Sequence, residues 1–334
     1  MKIVVIGGGF IGKTHARAIL KADGLELAGI ADPDMEKGPA LAAECGCRHY
    51  ADAREMLDAE RPDIADVCLP TFLHEEYVLE AADRGVHVLC EKPFALSSRA
   101  CMRMTETCKR AGVKLMVAQA ARYLPEFAAI REMVRSGSLG NLHMVCGSRL
   151  CQHPAWTTWH RDPEKSGGGL FDLHLHDIDY LYSLFGEIEA VNAVGWHTSE
   201  GCWNHVATTL YFKNGVCAME EASLEMTDGY PFSVNLRLTG DRATADYQFR
   251  AGFNIEPTGD AKSELILYEV GKEPAECRME PADSYQLEIE DFARSVKNGT
   301  PAPIAPTESV YVMHAIEAIR QSAEERRAVP VKSE

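Results

Sequence analysis

The chain has 334 residues, of which 46% are apolar and 25% charged, the make-up of a globular protein of about two domains. Its formal charge of −16 excludes nucleic acid and anionic membrane surfaces as partners, since both require clustered Lys and Arg. An anionic cofactor stays compatible, because backbone N–H groups at a helix N-terminus hold phosphate without basic side chains. Met1-Lys2 leads straight into Ile3-Val4-Val5-Ile6 and glycines, too short an apolar run for a signal sequence. No run reaches the ~20 residues of a membrane-spanning helix. Together with an odd count of 11 cysteines, this predicts reduced thiols and a cytoplasmic location. Cys45-x-Cys47 lacks a second Cys pair, so no zinc site, and no metal, is expected.

In chain order, strands are predicted at Lys2–Ile6, Leu25–Ala31, Ile64–Leu69, Val86–Cys90 and Lys114–Ala118, with helices between them such as Ile11–Ala22 and His74–Arg84. This alternation predicts a doubly wound parallel α/β sheet over residues 1–120. Between the first strand and helix stands Gly7-Gly8-Gly9-Phe10-Ile11-Gly12, which fits the dinucleotide fingerprint G-x-G-x-x-G. Gly7 allows the tight turn, Gly9 lets a pyrophosphate approach the backbone, and Gly12 lets the helix pack on the strand. The second strand ends in Asp32, about twenty residues on, where a carboxylate accepts hydrogen bonds from the adenosine ribose hydroxyls. A 2′-phosphate would be repelled there, and Asp32-Pro33-Asp34 offers no Arg, so NAD is expected over NADP. The loop Pro70-Thr71-Phe72-Leu73-His74 follows the third strand and should face the cofactor. Thr71 as a helix cap and His74 as an ordinary first-turn residue are equally open readings.

The strand Val86–Cys90 runs into Glu91-Lys92-Pro93. A lysine at the mouth of a buried strand is costly unless its charge or proton is used. A cis Lys92-Pro93 bond is one way to fix where the ammonium points.

Residues 121–334 change in texture. A helix near Glu126–Ser136 and a strand at Leu142–Leu150 precede a polar loop, a helix over Leu170–Phe185, and a mostly β stretch to Val270. That stretch includes an Asn214-Gly215 hairpin turn. Two helices close the chain near Ser284–Lys297 and Pro306–Arg327. This predicts a second, α+β domain with a large, mostly antiparallel open sheet that binds substrate and self-associates, its last helix free to pack back on the first domain.

The fingerprint, Asp32, the Pro70-Thr71…His74 loop and Glu91-Lys92-Pro93 together resemble the Gfo/Idh/MocA oxidoreductases, which include glucose–fructose oxidoreductase and inositol dehydrogenases. The likeness continues through Ala121-Arg122-Tyr123-Leu124-Pro125, Arg161 to Gly169, and Leu236-Arg237-Leu238-Thr239-Gly240, and so spans nearly the whole chain. It implies that Gly7, Gly9, Phe10, Ile11, Gly12, Asp32, Pro70, Thr71, His74, Glu91 and Lys92 hold the cofactor. It further implies that Lys92 is catalytic and that Gly169-Leu170-Phe171-Asp172-Leu173-His174-Leu175-His176-Asp177 supplies Asp172 and His176 to the same reaction. On an α-helix those two lie four residues apart on one face. His174 departs from the family pattern; it points away from His176 and is expected to pair with Asp177.

The chemistry is consistent with this. Imidazole takes a hydroxyl proton near neutral pH, Lys92 donates to the same oxygen as alkoxide character develops, and Asp172 orients substrate or imidazolium. Arg122, Tyr123, Trp159 and His160 are candidate substrate residues, with Trp156 and His153 in the same loop, since aromatic faces support sugar rings. Loop anchoring or a subunit contact are the alternatives for the aromatics, and an interdomain structural role for Arg122. The expected activity is hydride transfer between NAD and a secondary alcohol of a polyol, inositol or sugar, in a homodimer or homotetramer. Two readings compete: a glycoside-processing or epimerising enzyme that oxidises its substrate transiently on bound NAD, and a non-catalytic NAD-binding regulator.

Overall fold

A computed structural model describes residues 1–153, 158–251 and 261–332. The chain forms two compact units, Met1–Tyr123 with Ala282–Tyr311, and Leu124–Pro281 with Val312–Glu334. The chain thus returns to the first unit, through residues 282–311, after building most of the second.

The first unit holds strands β1 (Lys2–Ile6), β2 (Glu26–Ala31), β3 (Arg48–Tyr50), β4 (Ile64–Val67), β5 (His87–Cys90) and β6 (Leu115–Val117). They pair in parallel in the order β3-β2-β1-β4-β5-β6, the order of a dinucleotide-binding half-wound pair. Helices α1 (Phe10–Lys21), α2 (Lys37–Cys45), α3 (Ala53–Glu60), α4 (His74–Asp83) and α5 (Ser98–Ala111) link them. The apolar runs of β1, β4 and β5 are buried almost throughout, as expected of strands covered on both faces. Strand β3 is absent from the sequence expectation because Arg48-His49-Tyr50 carries no apolar run.

The second unit opens with α6 (Pro125–Arg135) and β7 (Leu142–Leu150). After them come a short helix α7 (Pro163–Ser166), a π-helical turn at Leu170–His174, and α8 (Leu175–Phe185). Strands β8 (Ile188–His197), β9 (Trp203–Phe212), β10 (Cys217–Ser223), β11 (Ser233–Gly240), β12 (Ala243–Arg250), β13 (Lys262–Glu269) and β14 (Ala275–Glu276) follow. Helices α9 (Ser284–Asn298) and α10 (Pro306–Glu325) and strand β15 (Val329–Pro330) end the chain. The nine strands run β14-β13-β12-β11-β7-β10-β9-β8-β15, antiparallel except for β10 beside β7. Alternation in β9 buries Val206, Thr208, Leu210 and Phe212 on one face, the signature of a sheet packed on one side. Lys213 to Val216 makes the β9–β10 turn, with Gly215 at φ +92°.

The core of the first unit packs Ile3, Val5, Ala16, Ile19 and Ile30 against Ile289, Phe292 and Ala293 of α9 and against Ile304. The returning segment therefore completes the hydrophobic core of the dinucleotide-binding unit.

Candidate functional site

The glycine turn has the geometry its sequence predicts. Gly7 sits at φ +102°, and a Cβ there would lie 2.5 Å from the Cys68 carbonyl oxygen. A Cβ on Gly12 would fall 1.8 Å from the Gly7 carbonyl oxygen, so only glycine lets α1 start this close to β1. Gly9 differs: it is the N-cap of α1, without a side-chain cap, and nothing stands within 4 Å of where its Cβ would be. The position is an open cradle at a helix N-terminus, which fits a pyrophosphate. Phe10 is exposed and Ile11 half-buried beside it.

Asp32 lies at the end of β2. Its Oδ2 accepts the Gly8 N–H at 2.7 Å and its Oδ1 the Asp34 N–H at 2.8 Å, which fixes the carboxylate beside the glycine turn. The nearby Lys37 is paired with Asp34 at 3.1 Å.

After β4, Pro70 leads into a single 3-10 turn, Thr71–Leu73, in which Thr71 is buried. His74 is fully buried. Its Nδ1 lies 2.9 Å from the Pro93 carbonyl and its Nε2 2.8 Å from the Leu69 carbonyl. Burial holds its pKa below the usual histidine range, so a neutral ring donates to one carbonyl at a time. The ring thus lies between the loop after β4 and the Lys92-Pro93 turn.

Lys92 follows β5 and is half-buried, and its bond to Pro93 is cis, as the sequence reading allows. Glu91 is buried. Its Oε2 accepts the Lys92 backbone N–H at 2.9 Å and its Oε1 lies 2.9 Å from His15 Nε2. His15 Nδ1 lies 2.8 Å from Asp66 Oδ2. Sequence reasoning missed His15 and Asp66, which are far from Glu91 in the chain. The available signal was a histidine on the apolar face of α1 and an aspartate inside Ile64-Ala65-Asp66-Val67, polar groups on faces that otherwise bury only carbon.

Arg122 is buried and donates to Glu308 Oε2 at 2.8 Å, and the Tyr123 hydroxyl donates to Asp291 Oδ2 at 3.2 Å. Both polar ends thus reach the returning segment of their own unit.

In the second unit two of the three glycines before Leu170, Gly167 and Gly168, are required by close packing. A Cβ on Gly167 would meet the Phe171 ring at 2.4 Å, and one on Gly168 the Cys202 Cβ at 2.9 Å. The Gly169 N–H donates to Asn204 Oδ1 at 2.8 Å. Asp172 then falls within a π-helical turn and His176 in the first turn of α8, so their offset is not the simple α-helical one expected from spacing. Such π turns recur at functional sites. His160 Nε2 stands 3.9 Å from Asp172 Oδ2 and stacks on Trp159 with ring centroids 3.9 Å apart. Buried Ser166 holds this loop by donating to the His160 and Asp162 carbonyls. The structure thus brings Trp159, His160 and Asp172 together; Trp156 lies outside the described residues.

The expected His174–Asp177 pair does not form. Asp177 takes a bidentate ion pair from buried Arg149 of β7, with the closest contact 2.7 Å, which pins the first turn of α8 to the sheet. His174 Nε2 lies 3.0 Å from Thr208 Oγ1, and burial lowers its pKa to about 4. A guanidinium offers Asp177 two donors in a fixed fork, which a neutral imidazole cannot match.

Among the described residues, the clusters with metal-ligand spacing are His15, Asp66 and Cys68, and His15, Glu91 and Glu288; neither includes Asp172 or His176. None of the 11 cysteines is in a disulfide. Among the described residues, no helix is long and apolar enough to cross a membrane.

Comparison with known proteins agrees with this geometry. Residues 1–119 match the family model of the Gfo/Idh/MocA oxidoreductases' NAD-binding Rossmann fold, and residues 131–332 that of the family's C-terminal alpha/beta domain. A D-xylose 1-dehydrogenase (NADP(+)) of Haloferax volcanii is 31% identical over 98% of this chain and 99% of its own. A D-glucoside 3-dehydrogenase of Escherichia coli is 28% identical over 97% of this chain and 95% of its own. The solved structure of a levoglucosan dehydrogenase with NADH and levoglucosan shares the fold, with a TM-score of 0.83 at 23% identity over 99% of both chains. A fingerprint with its open cradle, a lysine at the mouth of β5 and family models covering both halves lead to one conclusion: this chain belongs to the Gfo/Idh/MocA family of NAD(P)-binding oxidoreductases.

Proposed function

We propose that the protein is an NAD-dependent dehydrogenase acting on a secondary alcohol of a polyol, inositol or sugar. The observation that carries this reading is the placement of Lys92. The strand order β1-β4-β5 is parallel, so the carboxyl ends of β1, β4 and β5, with the glycine turn, the Pro70 loop and Lys92, lie along one edge of one sheet. In an open α/β sheet that edge is where ligands bind. When bound, the nicotinamide supplies the hydride acceptor. His176 takes the hydroxyl proton as hydride departs, Lys92 donates an N–H to the same oxygen and stabilises its developing charge, and Asp172 orients the substrate through a neighbouring hydroxyl. The Trp159–His160 stack beside Asp172 suits an apolar sugar face with hydroxyls at its rim.

The Asp32 carboxylate, fixed by two backbone N–H groups, supports NAD over NADP through repulsion of a 2′-phosphate. The NADP-dependent xylose dehydrogenase among the relatives makes a direct comparison of both cofactors part of the test. Self-association is supported by one face of the nine-stranded sheet. The pairings Cys217↔Met144, Cys217↔Tyr211 and Val194↔Ala207 place exposed Met144, Tyr211, Met219, Val194 and Trp196 on the same side. A second copy of the chain covers this apolar face in the proposed homodimer or homotetramer.

The experiment is a panel of D-xylose, myo-inositol, levoglucosan, D-glucuronate and methyl glucosides with NAD⁺ and with NADP⁺. Absorbance of reduced cofactor and product identity are read together. Lys92→Ala is expected to retain NAD binding and lose turnover by about 10²-fold or more. Turnover unaltered in that variant refutes the assignment of Lys92. Product formation without release of reduced cofactor shifts the reading to transient oxidation on bound NAD.

A further inference from the structure

Beneath the Lys92 turn lies a group of ionisable side chains that the reaction just described does not use. His15 of α1 and Asp66 of β4 are fully buried, and Glu91 nearly so. The imidazole sits between two carboxylate oxygens, 2.8 Å from Asp66 Oδ2 and 2.9 Å from Glu91 Oε1. A carboxylate at each ring nitrogen is a setting that favours the imidazolium form. Burial alone would lower the His15 pKa, but the Asp66 charge and then Cys68 overcome this and raise it well above the usual histidine range. The groups facing the ring are Asp66 and Cys68 from the β4 end, Glu91 from the β5 end, and Tyr285 and Glu288 from α9.

The other oxygen of Glu91 accepts the Lys92 backbone N–H. A continuous chain of contacts therefore runs Asp66, His15, Glu91, Lys92, across β4, α1 and the β5 mouth. On the far side of the same turn, His74 holds the Pro93 carbonyl.

We propose that His15 is a positioning residue for the reaction: clamped by Asp66, it holds the Glu91 carboxylate against the Lys92 backbone and so fixes where the Lys92 ammonium stands. This rests on the reading of Lys92 as the residue that polarises the reacting oxygen. His15 itself touches neither substrate nor cofactor in this account. A geometric displacement of about 1 Å at a reacting group costs on the order of 10²-fold in rate, which sets the size of effect expected from loosening the clamp.

The test has an arm without substrate and an arm with it. In the first, lysines are reductively methylated with ¹³C-formaldehyde, and the Lys92 resonance is assigned by its loss in Lys92→Arg. His15→Gln is expected to move that resonance toward the position of solvent-exposed lysines. Asp66→Asn, which keeps the shape of the clamp but removes its charge, is expected to move it in the same direction. The gentler substitution serves if His15→Gln does not fold. A Lys92 resonance unmoved in a folded variant overturns the proposal. ¹⁵N spectra of labelled histidine are expected to show both His15 ring nitrogens protonated at pH 8; a neutral ring also overturns it.

In the second arm, with NAD⁺ and whichever panel sugar is turned over, His15→Gln is expected to lower kcat by about 10–100-fold while the NAD⁺ Kd stays within about threefold. In a Lys92→Ala background the same change is expected to cost less than about threefold, since the two act as a unit. Losses that multiply indicate a general structural role and refute the coupling. Lys92→Ala with full turnover instead sinks the catalytic reading, and the resonance arm still decides whether His15 places Lys92.

Discussion

The contrast between Gly9 and Gly12 gives the sharpest test of the cofactor cradle. A Cβ on Gly12 would lie 1.8 Å from the Gly7 carbonyl oxygen and 2.9 Å from its carbon. Both are backbone atoms, so the turn itself must open, and Gly12→Ala is expected to cost about 2–4 kcal/mol of stability. Gly9 sits at φ −67°, ψ −166°, a conformation open to any residue, and its Cβ would meet nothing within 4 Å. Gly9→Ala should therefore leave the unliganded protein within about 0.5 kcal/mol of wild type. The added methyl instead occupies the space a pyrophosphate needs to reach the α1 N-terminus. Losing one charge-assisted hydrogen bond there costs about 1.5–3 kcal/mol, which is roughly 10- to 150-fold in NAD(H) affinity. The assays are thermal unfolding without ligand and titration of NADH fluorescence. Unaltered NADH affinity in Gly9→Ala, or a large fall in its unliganded Tm, would refute the placement of the phosphates.

Two further predictions concern buried charge. Arg149→Met leaves buried Asp177 without its partner beside Glu220, whose pKa is already raised by burial and then by Asp177; a loss of about 3–5 kcal/mol is expected by chemical denaturation, and replacing both partners with apolar residues should recover most of it. In the first unit, His15 and, through burial, Glu288 have pKa values raised on folding. The folded state therefore holds more protons than the unfolded one above their unfolded values of about 6.5 and 4.3, and stability falls as pH rises. Glu288→Gln should shed part of this slope, with a Tm higher by about 2–4 °C for each kcal/mol gained at pH 8–9. A Tm independent of pH between 6 and 9 in the wild type contradicts the sign.

Local features of the chain were legible wherever one physical cause acts over a few residues. The apolar strands, the glycines of the turn, Asp32 and the Lys92-Pro93 turn each follow from steric or solvation rules that need no distant partner. Strand β3 was not legible, because three polar residues enter the sheet only by virtue of β2 beside them. The π turn at Leu170–His174 was hidden for a related reason: spacing alone assigns a 3.6-residue period, whereas the packing of Gly167 on Phe171 and of Gly169 on Asn204 decides the actual one. His174 shows competition of the same kind, since Asp177 has a better partner on another strand than the histidine three residues away. The clamp around His15 joins residues 51 and 76 positions apart, and the sequence marks it only as charge misplaced on apolar faces.

The return of residues 282–311 to the first unit has a consequence for how the protein is made. Ile289, Phe292, Ala293 and Ile304 fill the core against α1 and β1, yet they emerge from the ribosome long after Tyr123. At ~5–20 residues per second the interval is ~8–30 s. During that time the nascent dinucleotide-binding unit presents an apolar patch that nothing in its own first 123 residues covers. A fragment ending at Tyr123 carries the whole phosphate cradle but keeps that patch permanently, and should aggregate or recruit chaperones where the full chain does not.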